Sequence, residues 1–237
     1  MSGYLSIASY ICVLFFNLYS LLFFIELAKD MVKSGRDKNY NQEIHKMGTH
    51  RFGYFTLWNF IFQMVFMIVA IIDESLKHLN VSKRKQQLLH KIRAEMYNVV
   101  LFPSSLMVAT IFWSLFYMDR ELVFPKVLDE FFPWWLNHML HSFILLPVII
   151  ELLLPKEHHF VKFEKAVPIL VFLFGLYTTM YFSIYFRHEV WLYPVYKIMT
   201  WPQRGLFTLG QFILALCYQK IGIELQNCKR KDKSKLR

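Results

Sequence analysis

The stretch Trp134-Trp135-Leu136-Asn137-His138-Met139-Leu140-His141-Ser142-Phe143-Ile144-Leu145-Leu146-Pro147-Val148-Ile149-Ile150-Glu151-Leu152-Leu153-Leu154 decides how this chain is read. At 1.5 Å per residue, about 20 apolar residues in a helix match the ~30 Å hydrocarbon slab of a bilayer. His138 and His141 interrupt that run three residues apart, so a helix carries them on one face. An imidazole in hydrocarbon is costly, and such a group marks a functional site unless a partner explains it.

Working outward, five more runs have the same character: Tyr4–Ile25, Phe52–Ile72, Met96–Met118, Val167–Phe186 and Gly205–Ile223, the last interrupted by Lys220. A soluble domain would not repeat uncharged runs of this length. The sequence therefore predicts an all-α integral membrane bundle of about six transmembrane helices. It forms one domain over residues 1–228, followed by a basic tail, 229–237. The chain has 237 residues, of which 56% are hydrophobic and 18% aromatic, with a net charge of +10. Its basic residues fall in the loops and the tail, where they orient helices and touch anionic lipid, and no basic face with interleaved aromatics predicts nucleic-acid binding. Cys12, Cys217 and Cys228 have neither disulfide nor metal spacing.

Six spans put both termini on one side of the membrane. That side then collects sixteen of the 27 Lys and Arg residues, which places both termini in the cytosol. The tail Lys233-Ser234-Lys235-Leu236-Arg237 resembles a dilysine retrieval signal, so endoplasmic reticulum or plasma membrane is expected. In this topology the glycosylation sequon at Asn80 is cytosolic and unused. Segment 29–51 reads as a polar loop. Segment 74–95 reads either as a basic amphipathic helix on the membrane surface, with Leu79, Leu88, Leu89 and Ile92 facing lipid, or as a solvated linker. Glu151, near the far end of its span, is expected to reach the headgroups. Trp134, Trp135, Trp191, Tyr193 and Trp201 fit interfacial belts, and Tyr177, Thr178, Thr179, Tyr181 and Tyr185 make the fifth span partly polar, either lining a cavity or packing.

Polar residues inside the spans form two stripes. Thr56, Asn59 and Gln63 share one side of the second span; Asn137, His138, His141 and Ser142 share one side of the fourth. These two spans run in the same direction. Thr56 lies roughly 6 Å and His141 roughly 10 Å below the same membrane face, so a hydroxyl and an imidazole can meet if the helices pack. Threonine is a weak nucleophile until a base takes its proton, and histidine is the usual base. Asn59, Gln63, Asn137 and His138 are candidates to orient that base or to stabilise an oxyanion. The same residues also suit hydrogen bonding between packed membrane helices. His138/His141 and His158-His159 superficially suggest a metal site, but they lie roughly 27 Å apart by helical rise, so no metal is predicted.

A family resemblance rests on specific residues. Tyr117-Met118-Asp119-Arg120-Glu121-Leu122-Val123-Phe124-Pro125-Lys126-Val127-Leu128-Asp129, followed by Trp135-Leu136-Asn137-His138-Met139-Leu140-His141, resembles the family of androgen-induced and androgen-dependent TFPI-regulating proteins. Arg51-Phe52-Gly53-Tyr54-Phe55-Thr56, Phe102-Pro103, Trp191-Leu192-Tyr193-Pro194 and Gly222-Ile223-Glu224 extend the likeness from about residue 5 to 227. It implies a membrane hydrolase, without cofactor, that splits fatty acid esters of hydroxy fatty acids. Thr56 matches the family's nucleophile and His141 its essential histidine. Gly53 stands where the family usually carries a basic residue, so no carboxylate contact is carried over to that position. A substrate carboxylate would instead sit near Arg51 or Arg120. The competing expectation is a non-enzymatic membrane regulator or transporter whose polar stripes serve packing or permeation.

Overall fold

The computed structural model describes residues 3–34, 42–79, 82–153 and 161–235, and among these the chain is helical with no strand. Five helical stretches are long and apolar enough to cross a membrane. A bent pair of shorter helices makes a sixth span if it counts as one. The first stretch is α1 (Gly3–Ser34). A short helix, α2 (Gln42–Thr49), and a 3-10 turn, Arg51–Gly53, lead into α3 (Phe55–Leu76). Residues 29–51 are thus largely helical among those described, not the polar loop expected. Gly48 lets α2 lie directly on α1: a Cβ there would fall 2.8 Å from the Ala28 carbonyl and 2.9 Å from Met31 Cβ.

The third crossing begins earlier than its hydropathy suggests. Helix α4 (Lys83–Met96) runs through a π turn (Tyr97–Leu101) straight into α5 (Phe102–Asp119). Residues 83–96 are therefore neither a surface helix nor a linker but the polar extension of a span, although Leu79, Leu88 and Ile92 remain exposed. Pro103 explains the wide turn: it has no N–H to give the Val99 carbonyl four residues back. That carbonyl instead accepts from Gln219 Nε2 at 3.2 Å.

The Trp134–Leu154 run departs most from expectation. It is not one rod but two helices, α6 (Trp134–His141) and α7 (Leu145–Leu153), bent by 43°. Pro147 cannot donate to the Phe143 carbonyl, and its ring crowds that turn, so the helix opens at residues 142–144. The Phe143 carbonyl accepts from the Leu146 N–H at 2.9 Å, and the next carbonyl, that of Ile144, accepts from Gln63 Nε2 at 2.7 Å. A backbone acceptor in an apolar interior would otherwise be costly, and a neighbouring amide satisfies it.

The last two crossings are α8 (Phe163–His188) and α10 (Trp201–Lys235), joined through the one-turn helix α9 (Val195–Ile198). Helix α10 continues unbroken through the basic stretch to Lys235. With the bent pair counted as one span, the six crossings put both termini on the same face. Asn80, His158 and His159 lie outside the described residues, as do Leu236 and Arg237.

Glu151 does not reach headgroups. It is buried with Arg93, whose Nη2 lies 2.9 Å from it, while Arg93 Nη1 lies 2.8 Å from both Asp73 and Glu74. Tyr10 donates to Glu151 and accepts from Arg93. The partner that keeps this carboxylate inside is 58 residues away in sequence. This cluster joins α1, α3, α4 and α7 at one end of the bundle. His141 touches the start of α3, and Glu151 is tied to its end through Arg93, so the bent pair runs alongside α3 from one end to the other.

Candidate active site

The site forms at the other end of α3. Thr56 is the second residue of α3, and its Oγ1 lies 3.3 Å from His141 Nε2 in α6. The opposite ring nitrogen, Nδ1, is 2.8 Å from Asn137 Oδ1 and 3.0 Å from the Asn137 backbone carbonyl. A carbonyl oxygen can only accept, so Nδ1 carries the proton and Nε2 presents its lone pair to the threonine hydroxyl. That is the tautomer a general base needs. His141 is buried, and the Phe112 ring stacks on it with centroids 3.5 Å apart, fixing the imidazole plane.

The other candidates separate from this pair. His138 bonds Ser142 Oγ at 3.1 Å and lies against Trp113, not against Thr56. Asn59 accepts from Ser104 and Ser105, at 2.6 and 3.2 Å. Gln63 donates to Ser105 as well as to the Ile144 carbonyl. Of the four supporting residues, the structure brings only Asn137 to the Thr56–His141 pair. Asn59 and Gln63 instead fasten α3 to α5 and to the break between α6 and α7. His138 and His141 belong to no group of three or more metal-ligating side chains among the described residues.

The start of α3 is capped in a way local sequence does not announce. Tyr54 occupies the N-cap position but makes no side-chain cap. The Phe55 N–H instead donates to the hydroxyls of Tyr177 and Tyr193, at 3.2 and 3.1 Å, and Tyr177 in turn donates to the Gly53 carbonyl. These two tyrosines, from α8 and the loop before α9, position the turn that carries Thr56. Tyr193 is therefore a capping group rather than a belt residue. Trp191 is buried within the same aromatic cluster, whereas Trp134 and Trp201 are exposed as a belt requires. Gly53 has no room for a larger residue without movement: a Cβ there would lie 2.6 Å from Leu192 Cδ1 and 2.7 Å from Ile184 Cδ1.

Two cavities meet at the threonine. The first, about 500 Å³ including its mouth, is lined by Phe24, Met47, Arg51, Phe132 and His141, among others. The second, about 520 Å³, is lined by Ile111, Leu115, Phe174, Tyr177 and Gln211, among others. Thr56, Phe112 and Val123 belong to both walls. A third, more apolar space of about 670 Å³ adjoins the second through Phe55, Met107 and Phe174.

Fold and site together define a multi-pass helical membrane protein with a hydroxyl–imidazole pair buried at the junction of apolar cavities. Residues 12–227 match the model of the FAR-17a/AIG1-like protein family, and the chain belongs to that family. It is 30% identical to the golden hamster (Mesocricetus auratus) androgen-dependent TFPI-regulating protein over 218 residues, covering 92% of each chain. The human protein of that name is 31% identical over 169 residues, 71% of this chain and 73% of that one. The human androgen-induced gene 1 protein is 28% identical over 145 residues, 61% of this chain and 60% of that one. No solved structure matches.

Proposed function

We propose that the protein is an intramembrane lipid esterase that hydrolyses fatty acid esters of hydroxy fatty acids, with Thr56 as nucleophile and His141 as base. The observation that carries this reading is the 3.3 Å approach of Thr56 Oγ1 to His141 Nε2, with Nδ1 anchored on Asn137. In the first step His141 takes the threonine proton as Oγ1 attacks the ester carbonyl. The tetrahedral adduct collapses, the C–O bond to the hydroxy acid breaks, and His141 returns the proton to the departing alkoxide. Water then attacks the acyl-threonine with His141 again accepting a proton, and Thr56 leaves with that proton as the fatty acid is released.

Thr56 stands in the first turn of α3, and the partial positive charge of that helix end favours negative charge developing beside it. The largely apolar walls of the two cavities suit the chains of a lipid ester. The site lies on the face opposite the termini, so cytosolic termini would place it toward the lumen or exterior. A permeation role is disfavoured by the Arg93 cluster, which fills the other end of the bundle with paired charges. The test is turnover of a palmitoyl ester of hydroxystearic acid by protein in lipid nanodiscs. Wild type should release palmitate, and Thr56→Ala and His141→Ala should not. Equal turnover by all three proteins would refute the proposal.

A further inference from the structure

Arg51 is the one charged side chain in the wall of the first cavity. Its Nη1 donates to the Gly48 carbonyl at 2.7 Å and its guanidinium lies over the exposed Phe52 ring, 5.1 Å from the centroid. Its Nε is buried with no hydrogen-bond partner, and no carboxylate among the described residues pairs with it. Arg51 is half-buried, and a guanidinium in an apolar wall with no carboxylate beside it is placed to pair with an anion that enters the cavity. Arg120, the other residue expected to hold a substrate carboxylate, is already engaged. Its Nη2 is 2.7 Å from Asp129, its Nε donates to the Phe124 carbonyl, and its guanidinium lies over the rings of Phe116 and Phe124.

We infer that Arg51 is the substrate-selecting residue. It binds a free carboxylate carried on the hydroxy-acid arm of the ester, which lies in the first cavity while the fatty acyl arm lies in the second. This rests on the esterase reading and specifies how the substrate is held. The second cavity has no charged residue in its wall and opens toward the third apolar space, which suits an unsubstituted chain. A single carboxylate matches a single guanidinium in an otherwise apolar wall better than a phosphate ester, which brings more charge and a polar backbone. Gly53 offers no competing cation at the neighbouring position.

The experiment compares the palmitoyl ester of hydroxystearic acid with its methyl ester, for wild type, Arg51→Gln and Arg51→Lys. Wild type should prefer the free acid roughly 10- to 100-fold in kcat/KM, mainly through KM. The preference should fall close to one in Arg51→Gln and return in part in Arg51→Lys. That partial return separates loss of charge from loss of the Gly48 contact. Equal preference in wild type and Arg51→Gln would overturn the inference, as would an equal loss for both esters in both variants.

A second reading needs no turnover. Thr56→Ala should be thermally stabilised by the free acid and not by the methyl ester, and the double variant Thr56→Ala/Arg51→Gln by neither. If this binding pattern holds while wild type shows no turnover, the esterase reading fails and the carboxylate site stands. Turnover without any dependence on Arg51 does the reverse. Stabilisation by lysophosphatidic acid in place of the carboxylate ester would show that the anion class is wrong.

Discussion

Asn137 Oδ1 lies 2.8 Å from His141 Nδ1, on the ring edge opposite the one that faces Thr56. One residue of α6 thus holds the base by both its side chain and its backbone carbonyl. Replacing the side chain leaves the carbonyl to keep the tautomer. Asn137→Leu should therefore lower kcat about 10-fold rather than abolish turnover, with KM little changed. His138→Ala, which removes a ring bonded to Ser142, should lower it less. Steady-state kinetics on both variants check this order.

Gln63 answers a backbone defect. Its amide donates to the buried Ile144 carbonyl at the α6–α7 break. Gln63→Leu should destabilise the protein by about 1–3 kcal/mol, because a buried acceptor loses its donor. Thermal unfolding in detergent would show the loss. Thr56 labelling below the transition should persist, which separates this role from catalysis.

Arg93 holds three carboxylates together at the far end of the bundle. Arg93→Met should cost about 3–5 kcal/mol, since it leaves buried acids without their cation. Glu151→Gln should cost less, because Asp73 and Glu74 still neutralise Arg93. Comparing the two variants by chemical denaturation tests the cluster.

Glu43 in α2 pairs with buried Lys46 and with Lys197. Burial pushes its carboxyl upward, but the charges and hydrogen bonds of the two lysines outweigh that and hold it below its ordinary value. A carboxyl lowered in the folded state adds stability above its unfolded pKa, and that stability is lost as pH falls through the folded value. Acidification through the carboxylate range should loosen α2, which contributes Met47 to the first cavity. Amide protection factors across residues 42–49, corrected for the intrinsic pH dependence of exchange, should fall at low pH in wild type and already be lowered in Glu43→Gln.

Much of the architecture was legible because hydropathy sets span number and direction. The same counting of depth put Thr56 and His141 at one level before any packing was known. What escaped was non-local. The partner of Glu151 is Arg93, and the caps of Phe55 are Tyr177 and Tyr193 from far downstream, so no local window reveals either. Pro147 stands inside an apolar run read as one span, and the break it makes is accommodated by Gln63 from another helix. Segment 42–49 reads as loop because its composition is polar, whereas its helix is held by the close approach to α1 that Gly48 permits.

The central claim is that Thr56 is a nucleophile made reactive by His141. The most direct measurement is covalent labelling with a fluorophosphonate, followed by peptide mass spectrometry to locate the adduct. The account predicts an adduct on Thr56 in wild type, none in Thr56→Ala, and labelling slowed by roughly 100-fold or more in His141→Ala. An adduct on another residue, or equal labelling in all three proteins, would contradict it.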